Sequence, residues 1–304
     1  MLTNNKLMVK YKKHLIEERR NTQVRSIMSC VKDLINRMGP HQLRKMETEE
    51  LHKRLMKYRS YLITRRPKGL THGKLKSSSV TTIIINIRSF LTWAKLSYPN
   101  EFIGLKMAKR MPRYVPLDEI KALKKRIESL PPLKNSVIHF LLLLGIRLSE
   151  LINLRLDQVD TKTRLVTVMG KGSKERTVEM PLKLIPIIKK YLKRRMKLWK
   201  EHLIAKEDRQ ILFVKKWRYT TTRPYRRLYP MYVERIVSKL SVKSHLTPHG
   251  LRHTYATWSV YFGVPISQIK ESLGHASVAT TGIYSEATAQ GRKLAVKTTE
   301  KWFK

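Results

Sequence analysis

Cysteine and acid are what this 304-residue chain is short of. Its single cysteine, Cys30, excludes an intramolecular disulfide and a thiolate zinc site, and points to the cell interior, a cytoplasmic home. Asp and Glu number 22 against 64 Lys and Arg, a formal net charge of +42. A chain so lopsided repels itself and calls for a polyanionic partner. Nucleic acid fits best, because phosphates neutralised by Lys and Arg release counterions and supply affinity independent of sequence. A basic ribosome-like protein or a merely lysine-rich surface is the competing account of the charge alone. Long apolar runs are missing too. "MLTNNKLMVKYKKHL" lacks the stretch a secretory signal needs, and "VIHFLLLLGI" is too short to span a bilayer, so no membrane partner is expected.

What is present falls into two blocks, as the length leads one to expect. Over residues 1–100 the segments "NNKLMVKYKKHLIEERR", "NTQVRSIMSCVKDLINRM", "METEELHKRLMKYRSYLITRR" and "SSVTTIIINIRSFLTWAKLS" space apolar residues by three and four, with basic residues on the other faces. They predict a bundle of about four helices. Residues 101–116, "EFIGLKMAKRMPRYVP", lose the periodicity and carry four Lys or Arg and two prolines, which predicts an extended basic linker.

Residues 117–304 are mixed. "LDEIKALKKRIESL" and the nearly all-apolar "KNSVIHFLLLLG" read as helices, the second central to a core. "RLVTVM" and "ERTVEMP" alternate as two strands around the glycine-rich turn "GKGSK". Helices resume at "PLKLIPIIKKYLKRRMKLW", "MYVERIVSKL", "PHGLRHTYATWSVYF", "PISQIKESLG" and "ATAQGRKLAVKTTEKWF". The fold class expected is mainly α with a small β-sheet, in two domains.

The stretch "HLTPHGLRHTYATW" concentrates chemistry. Thr247 followed by Pro248 is a helix start, and His249 and Arg252 then share one face of its first turn, beside free backbone N–H groups and the positive end of the dipole. An anion is the natural guest. His249 and His253 also stand at a metal-ligand spacing, but Gly250 occupies the place where the zinc-protease pattern needs glutamate, and an arginine between the ligands repels a cation. No metal is expected, and His253 reads as a packing residue.

Three further segments supply partners. "LLGIRLSELINLRL" sets Arg147 directly after an apolar helix, with Glu150 close enough to pair with it; "MGKGSKER" holds Lys171 at a turn between two glycines; "LGHASVATTGIY" carries His275 and Tyr284. Singly these read as an intrahelical ion pair, a solvated turn lysine, a cap and a core aromatic.

Together, "GIRLSEL", "GKGSKER", "HGLRHTYAT" and "LGHASVATTGIY" resemble, in order and with Xer-like spacing, the signature boxes of the tyrosine recombinases, the family of phage integrases and Xer-type enzymes. The resemblance covers the chain. It implies a C-shaped clamp of a helical core-binding domain and a catalytic domain with a C-terminal tail helix. It further implies Tyr284 as nucleophile forming a 3′-phosphotyrosyl link, Arg147 and Arg252 on the phosphate oxygens, and Lys171 protonating the departing 5′-oxygen. His249 and His275 would assist at the phosphate, with Glu150 supporting the Arg147 segment and no cofactor. The implied partners are double-stranded DNA with a short inverted repeat and three more copies of the chain, exchanging strands through a Holliday junction. Residues 287–304 would dock on a neighbour or on their own domain.

Two departures stand out: Gly250 where many members carry a larger or acidic residue, and "IYSEAT" after the tyrosine in place of a more basic continuation. With the helical block at the very start of the sequence, no arm-site domain like that of larger phage integrases is expected. Two other readings stay open from sequence. "FGVPISQIKESLGHASVATTGIY" also reads as a helix-turn-helix, making a DNA-binding regulator without catalysis, and a topoisomerase would use the same residues.

Overall fold

The computed structural model describes residues 4–18, 23–38, 43–65, 74–106, 114–170, 175–217, 224–241 and 245–274. The chain divides into two compact units, Met1–Arg110 and Met111–Lys304.

The first unit is helical: α1 (Asn4–Glu17), α2 (Val24–Met38), α3 (Thr48–Thr64) and α4 (Ser77–Trp93). Each helix forms because its apolar residues recur at helical spacing and share one buried face. Leu7, Tyr11 and Leu15 do so on α1, Leu51, Leu55, Tyr58 and Leu62 on α3, and Val80, Ile84, Ile87 and Leu91 on α4. Phe90 packs edge-on against Tyr11 at 5.2 Å. Asp33 on α2 accepts the Tyr58 hydroxyl at 2.7 Å, so the one polar atom that this ring carries inward is satisfied. Phe102 is fully buried in the same core.

The second unit is built round α6 (Pro132–Leu143), whose Val137, Ile138, Phe140 and Leu141 are fully buried. Around it stand α5 (Leu117–Glu128), α7 (Leu148–Asn153), α8 (Leu184–Lys200), α9 (Pro230–Ser238), α10 (Pro248–Tyr261) and α11 (Ile266–Leu273). Val115 belongs to this core.

Two small antiparallel sheets complete the unit. β1 (Val159–Asp160), β2 (Leu165–Met169) and β3 (Glu175–Glu179) lie in the order β1-β2-β3, with Val166 opposite Val178 and Met169 opposite Glu175. The apolar Val166, Val168 and Val178 point into the core while their neighbours face out, as the alternation in the sequence requires. β4 (Val214–Lys216) and β5 (Tyr225–Arg227) form a separate hairpin.

So the fold is mainly helical with small sheets, as the periodicities predict. The additions to the sequence reading are β1 and the β4–β5 hairpin. All are short, and "VKK" and "YRR" bury little apolar surface that a pattern could reveal. None of the described helices is long and apolar enough to cross a membrane.

One buried charge holds the second unit together in a way composition hides. Arg195 on α8 is 3% exposed, and its guanidinium donates to the carbonyls of Arg209, Ile211 and Leu212. A buried cation with no acidic partner among the described residues is tolerated because carbonyl dipoles replace its water. Beside it the Tyr191 hydroxyl donates to Leu212 O and accepts from Val214 N, both at 3.0 Å.

Candidate active site

The start of α10 is set by its sequence. Thr247 is the N-cap, its hydroxyl accepting from the Gly250 N–H at 3.0 Å, and Pro248 fills the first helical position, where a missing N–H costs nothing. This fixes the direction in which the first turn projects His249 and Arg252.

Arg252 is 3% exposed and spans two elements, donating through Nη1 to Gly145 O at 2.5 Å and through Nη2 to Leu273 O at 2.6 Å. Gly145 is a required glycine. Its φ is +59°, and a Cβ would stand 2.5 Å from the Tyr255 ring and 2.8 Å from Leu273. The chain turns there into Arg147.

Arg147 is the N-cap of α7. Its backbone N–H donates to Glu150 Oε2 and its Nη1 to Glu150 Oε1, both at 2.7 Å, while Nη2 donates to Gly274 O at 2.8 Å. Its side chain stays 36% exposed. The two arginines therefore grip consecutive carbonyls, Leu273 and Gly274, at the end of α11. Gly274 supplies these with its left-handed cap, φ +64°.

Glu150, with 4% of its side chain exposed, also accepts a second fork, Arg176 Nη1 at 2.9 Å and Nη2 at 2.8 Å. Burial alone would push this carboxyl up. The bonds from Arg176 and Arg147 outweigh burial and hold it down at about 2. Arg176 in turn donates through Nε to Ser272 O at 2.8 Å. One carboxylate and one arginine of β3 thus tie together the strand that follows Lys171, the segment bearing Arg147, and the helix end that precedes His275.

His249 has its pKa lowered, first by burial and then by the charges of Arg252 and Arg147, so its ring is neutral at neutral pH. Its Nε2 lies 2.9 Å from Nε2 of His253, with the rings edge to face at 4.2 Å. Two such nitrogens at that distance share one proton. Among the described residues there is no group of three or more His, Cys, Asp or Glu able to hold a metal.

Arg147, His249 and Arg252 line one cleft of about 950 Å³, along with Met231, Glu234 and Arg235 of α9. Three of the six residues singled out in the sequence are thereby brought together. Lys171, His275 and Tyr284 lie outside the described residues. The tail helix expected over 287–304 does too. Sequence reading passed over Arg176, although it stands inside the quoted "GKGSKER". The available signal was its place on the inward side of a strand directly after the Lys171 turn, a costly position for an unpaired charge.

A mainly helical unit that concentrates two fixed arginines and a neutral histidine in one cleft, on a chain of net charge +42, defines a protein that handles phosphodiesters. Residues 113–290 match the Phage integrase family, and the chain belongs to it. It is a tyrosine recombinase, a DNA-breaking and rejoining enzyme. Tyrosine recombinase XerA of Pyrococcus furiosus is 34% identical to it, covering 74% of this chain and 76% of the relative. Tyrosine recombinase XerC of Listeria monocytogenes is 32% identical over 74% of this chain and 77% of the relative. Among solved structures the fold is similar to the Tn1549 transposon integrase in complex with circular intermediate DNA. The TM-score is 0.67 at 18% identity, with 98% of this chain and all of that one covered.

Proposed function

We propose that this recombinase cuts and reseals double-stranded DNA at a short inverted-repeat site through a covalent phosphotyrosine, with four protomers exchanging strands by way of a Holliday junction. In this reading Tyr284 Oη attacks the scissile phosphorus. The P–O5′ bond breaks as the P–O(Tyr) bond forms, leaving a 3′-phosphotyrosyl protein and a free 5′-hydroxyl. Resealing is the reverse, with the 5′-hydroxyl of the incoming strand as nucleophile. The phosphodiester energy is kept in the covalent link, so no nucleotide cofactor is consumed.

The observation that carries the reading is the placement of Arg147 and Arg252 in one cleft, each held by fixed partners. A guanidinium plane that cannot turn is already set to meet the charge that builds on the phosphate oxygens in the transition state. His249, neutral beside two cations, is suited to accept the tyrosine proton. Lys171 gives a proton to the leaving 5′-oxygen, and His275 donates to a phosphate oxygen. The first unit serves as the core-binding domain, the second as the catalytic one, and the enzyme works in the cytoplasm. The relatives favour neither a regulator without catalysis nor a topoisomerase.

The test is covalent capture. Protein is incubated with source DNA carrying a nick just downstream of the site, which lets the short fragment bearing the freed 5′-hydroxyl diffuse away, and is then denatured in detergent. A protein–DNA adduct at a 3′ end that disappears in Tyr284→Phe is the expected result. An adduct that persists in the Phe protein assigns the nucleophile elsewhere.

A further inference from the structure

A second cavity lies on the far side of α9 from the catalytic cleft, with a volume of about 840 Å³, between α9, β4 and the α5–α6 turn. Arg235 lines both. Its walls carry Arg126, Lys134, Lys215, Lys216, Arg235 and Lys239, and no described lining residue is acidic. Arg126 is committed to the α9 end, donating to the carbonyls of Leu240 and Ser241. The other five have no carboxylate partner among the described residues. Like charges gathered into a concavity raise the free energy of the empty protein and lower that of an anion entering it.

Two details mark this as a built site. Lys215 is held over three rings, 4.4 Å from Tyr232, 4.9 Å from Tyr229 and 5.5 Å from Trp217, so its ammonium is fixed by cation–π attraction in place of an ion pair. Trp217, which lines the cavity, has a buried indole N–H with no acceptor among the described residues. Such a group costs free energy unless something fills its place. Indole is a donor only, so the missing partner is an acceptor.

We propose that this cavity is a phosphate-binding site separate from the catalytic cleft. A phosphate oxygen accepts from Trp217 Nε1, Lys215 pairs with it from the ring face, and Lys216 and Lys239 at the rim neutralise the remaining charge. Two sources provide that chemistry. One is the backbone of the bound DNA running past the cleft around α9, and the other is a free nucleotide.

The full-length protein is titrated calorimetrically with inorganic pyrophosphate and with ATP, and its affinity for a fluorescein-labelled duplex is measured across a salt series. Two variants are compared with the wild type. Lys216→Ala with Lys239→Ala changes two exposed side chains and leaves the urea midpoint in place; Trp217→Phe removes the N–H and keeps a ring. Pyrophosphate binding should weaken roughly tenfold in each, the size of a lost charge-assisted hydrogen bond or ion contact. If DNA is the source, the double variant also makes the salt dependence of duplex affinity shallower by about 1.8, at roughly 0.9 per phosphate contact. If a nucleotide is the source, that slope is unchanged and ATP binding falls with pyrophosphate binding. Variants that match the wild type in both pyrophosphate affinity and salt slope overturn the proposal. Covalent adduct formation on bound DNA should run at the wild-type rate in both variants. An adduct missing from the wild type itself strikes the phosphotyrosine reading and leaves this cavity untouched.

Discussion

Arg176 and Glu150 face each other fork to fork, two N–H···O bonds of 2.9 and 2.8 Å between side chains that are 11% and 4% exposed. A bidentate pair so far from water fixes both planes, and Glu150 passes that rigidity to Arg147 through two further bonds. Removing Arg176 leaves a buried carboxylate short of one partner. Arg176→Ala should cost about 3–5 kcal/mol of stability in urea unfolding. Arg176→Lys should recover part of that stability but little of the cleavage rate, because an ammonium cannot make the fork. Duplex affinity should barely change in the lysine variant while single-turnover cleavage drops. Equal loss of both would place Arg176 in DNA binding instead.

Acid should destabilise the protein in two steps. At neutral pH His249 is uncharged in the folded and the unfolded chain and contributes no slope. Its folded pKa is depressed by burial, Arg252 and Arg147, and His253 shares its proton. Below about 6.5, the unfolded chain therefore binds the proton first, and stability falls. Glu150 acts lower down. Its ordinary value of 4.5 drops to about 2 on folding, so the stability it gives is complete above 4.5 and is lost between there and 2. That second step is on the order of 2 kcal/mol after allowance for solvent screening. Urea midpoints at several pH values check both. His249→Asn should flatten the upper step, and Glu150→Gln the lower one at a uniform cost in stability.

Gly145 sits where backbone shape and packing coincide. Gly145→Ala pushes a side chain into the left-handed region and drives its Cβ against Tyr255 and Leu273. The strain costs roughly 1–2 kcal/mol and the crowding about 1–3 more. The Tm should fall by on the order of 10 °C. Gly263→Ala is the control, since its φ is +84° but nothing lies within 4 Å of the added Cβ, so only the strain is felt. If the two variants melt together, the close approach of Tyr255 carries no energy.

Sequence made the helices legible because each presents a wide apolar face, as Leu51, Leu55, Tyr58 and Leu62 do on α3. The β2–β3 pair was legible from the alternation of Val166 and Val168 round a glycine turn. It did not show β4 and β5, three residues each, whose order comes from pairing with one another and not from a buried pattern. At the site, Thr247-Pro248 announced the helix start and the grouping of His249 with Arg252. The partners of the arginines were beyond reach of any pattern. Gly145 O, Leu273 O and Gly274 O are backbone atoms, brought in by chain reversals at residues distant in sequence. Arg176 escaped notice for a related reason: strand alternation puts it on the inward side with Val178, but only Glu150 beneath it shows that the charge there is paired.

The two arginines differ in setting, and that difference predicts unequal responses to the same substitution. Arg252 is 3% exposed and fixed between Gly145 and Leu273, so it is part of the packing as well as of the cleft. Arg147 has a 36% exposed side chain and holds Glu150 and Gly274 O from the rim. Lysine at position 252 cannot reach two carbonyls 128 residues apart in sequence with one ammonium, and desolvating that compact charge costs more than burying a guanidinium. Arg252→Lys should lower stability by about 2–4 kcal/mol and slow covalent-adduct formation by roughly 100- to 1000-fold, the scale of losing one fixed transition-state donor. Arg147→Lys should slow the adduct by a similar factor while costing about 1 kcal/mol of stability or less, because its charge stays in water. Paired urea unfolding and single-turnover assays on both variants separate the two quantities. If Arg147→Lys destabilises as much as Arg252→Lys, its exposed fork is holding the α11 end in place, and the cleft depends on it for shape as well as charge.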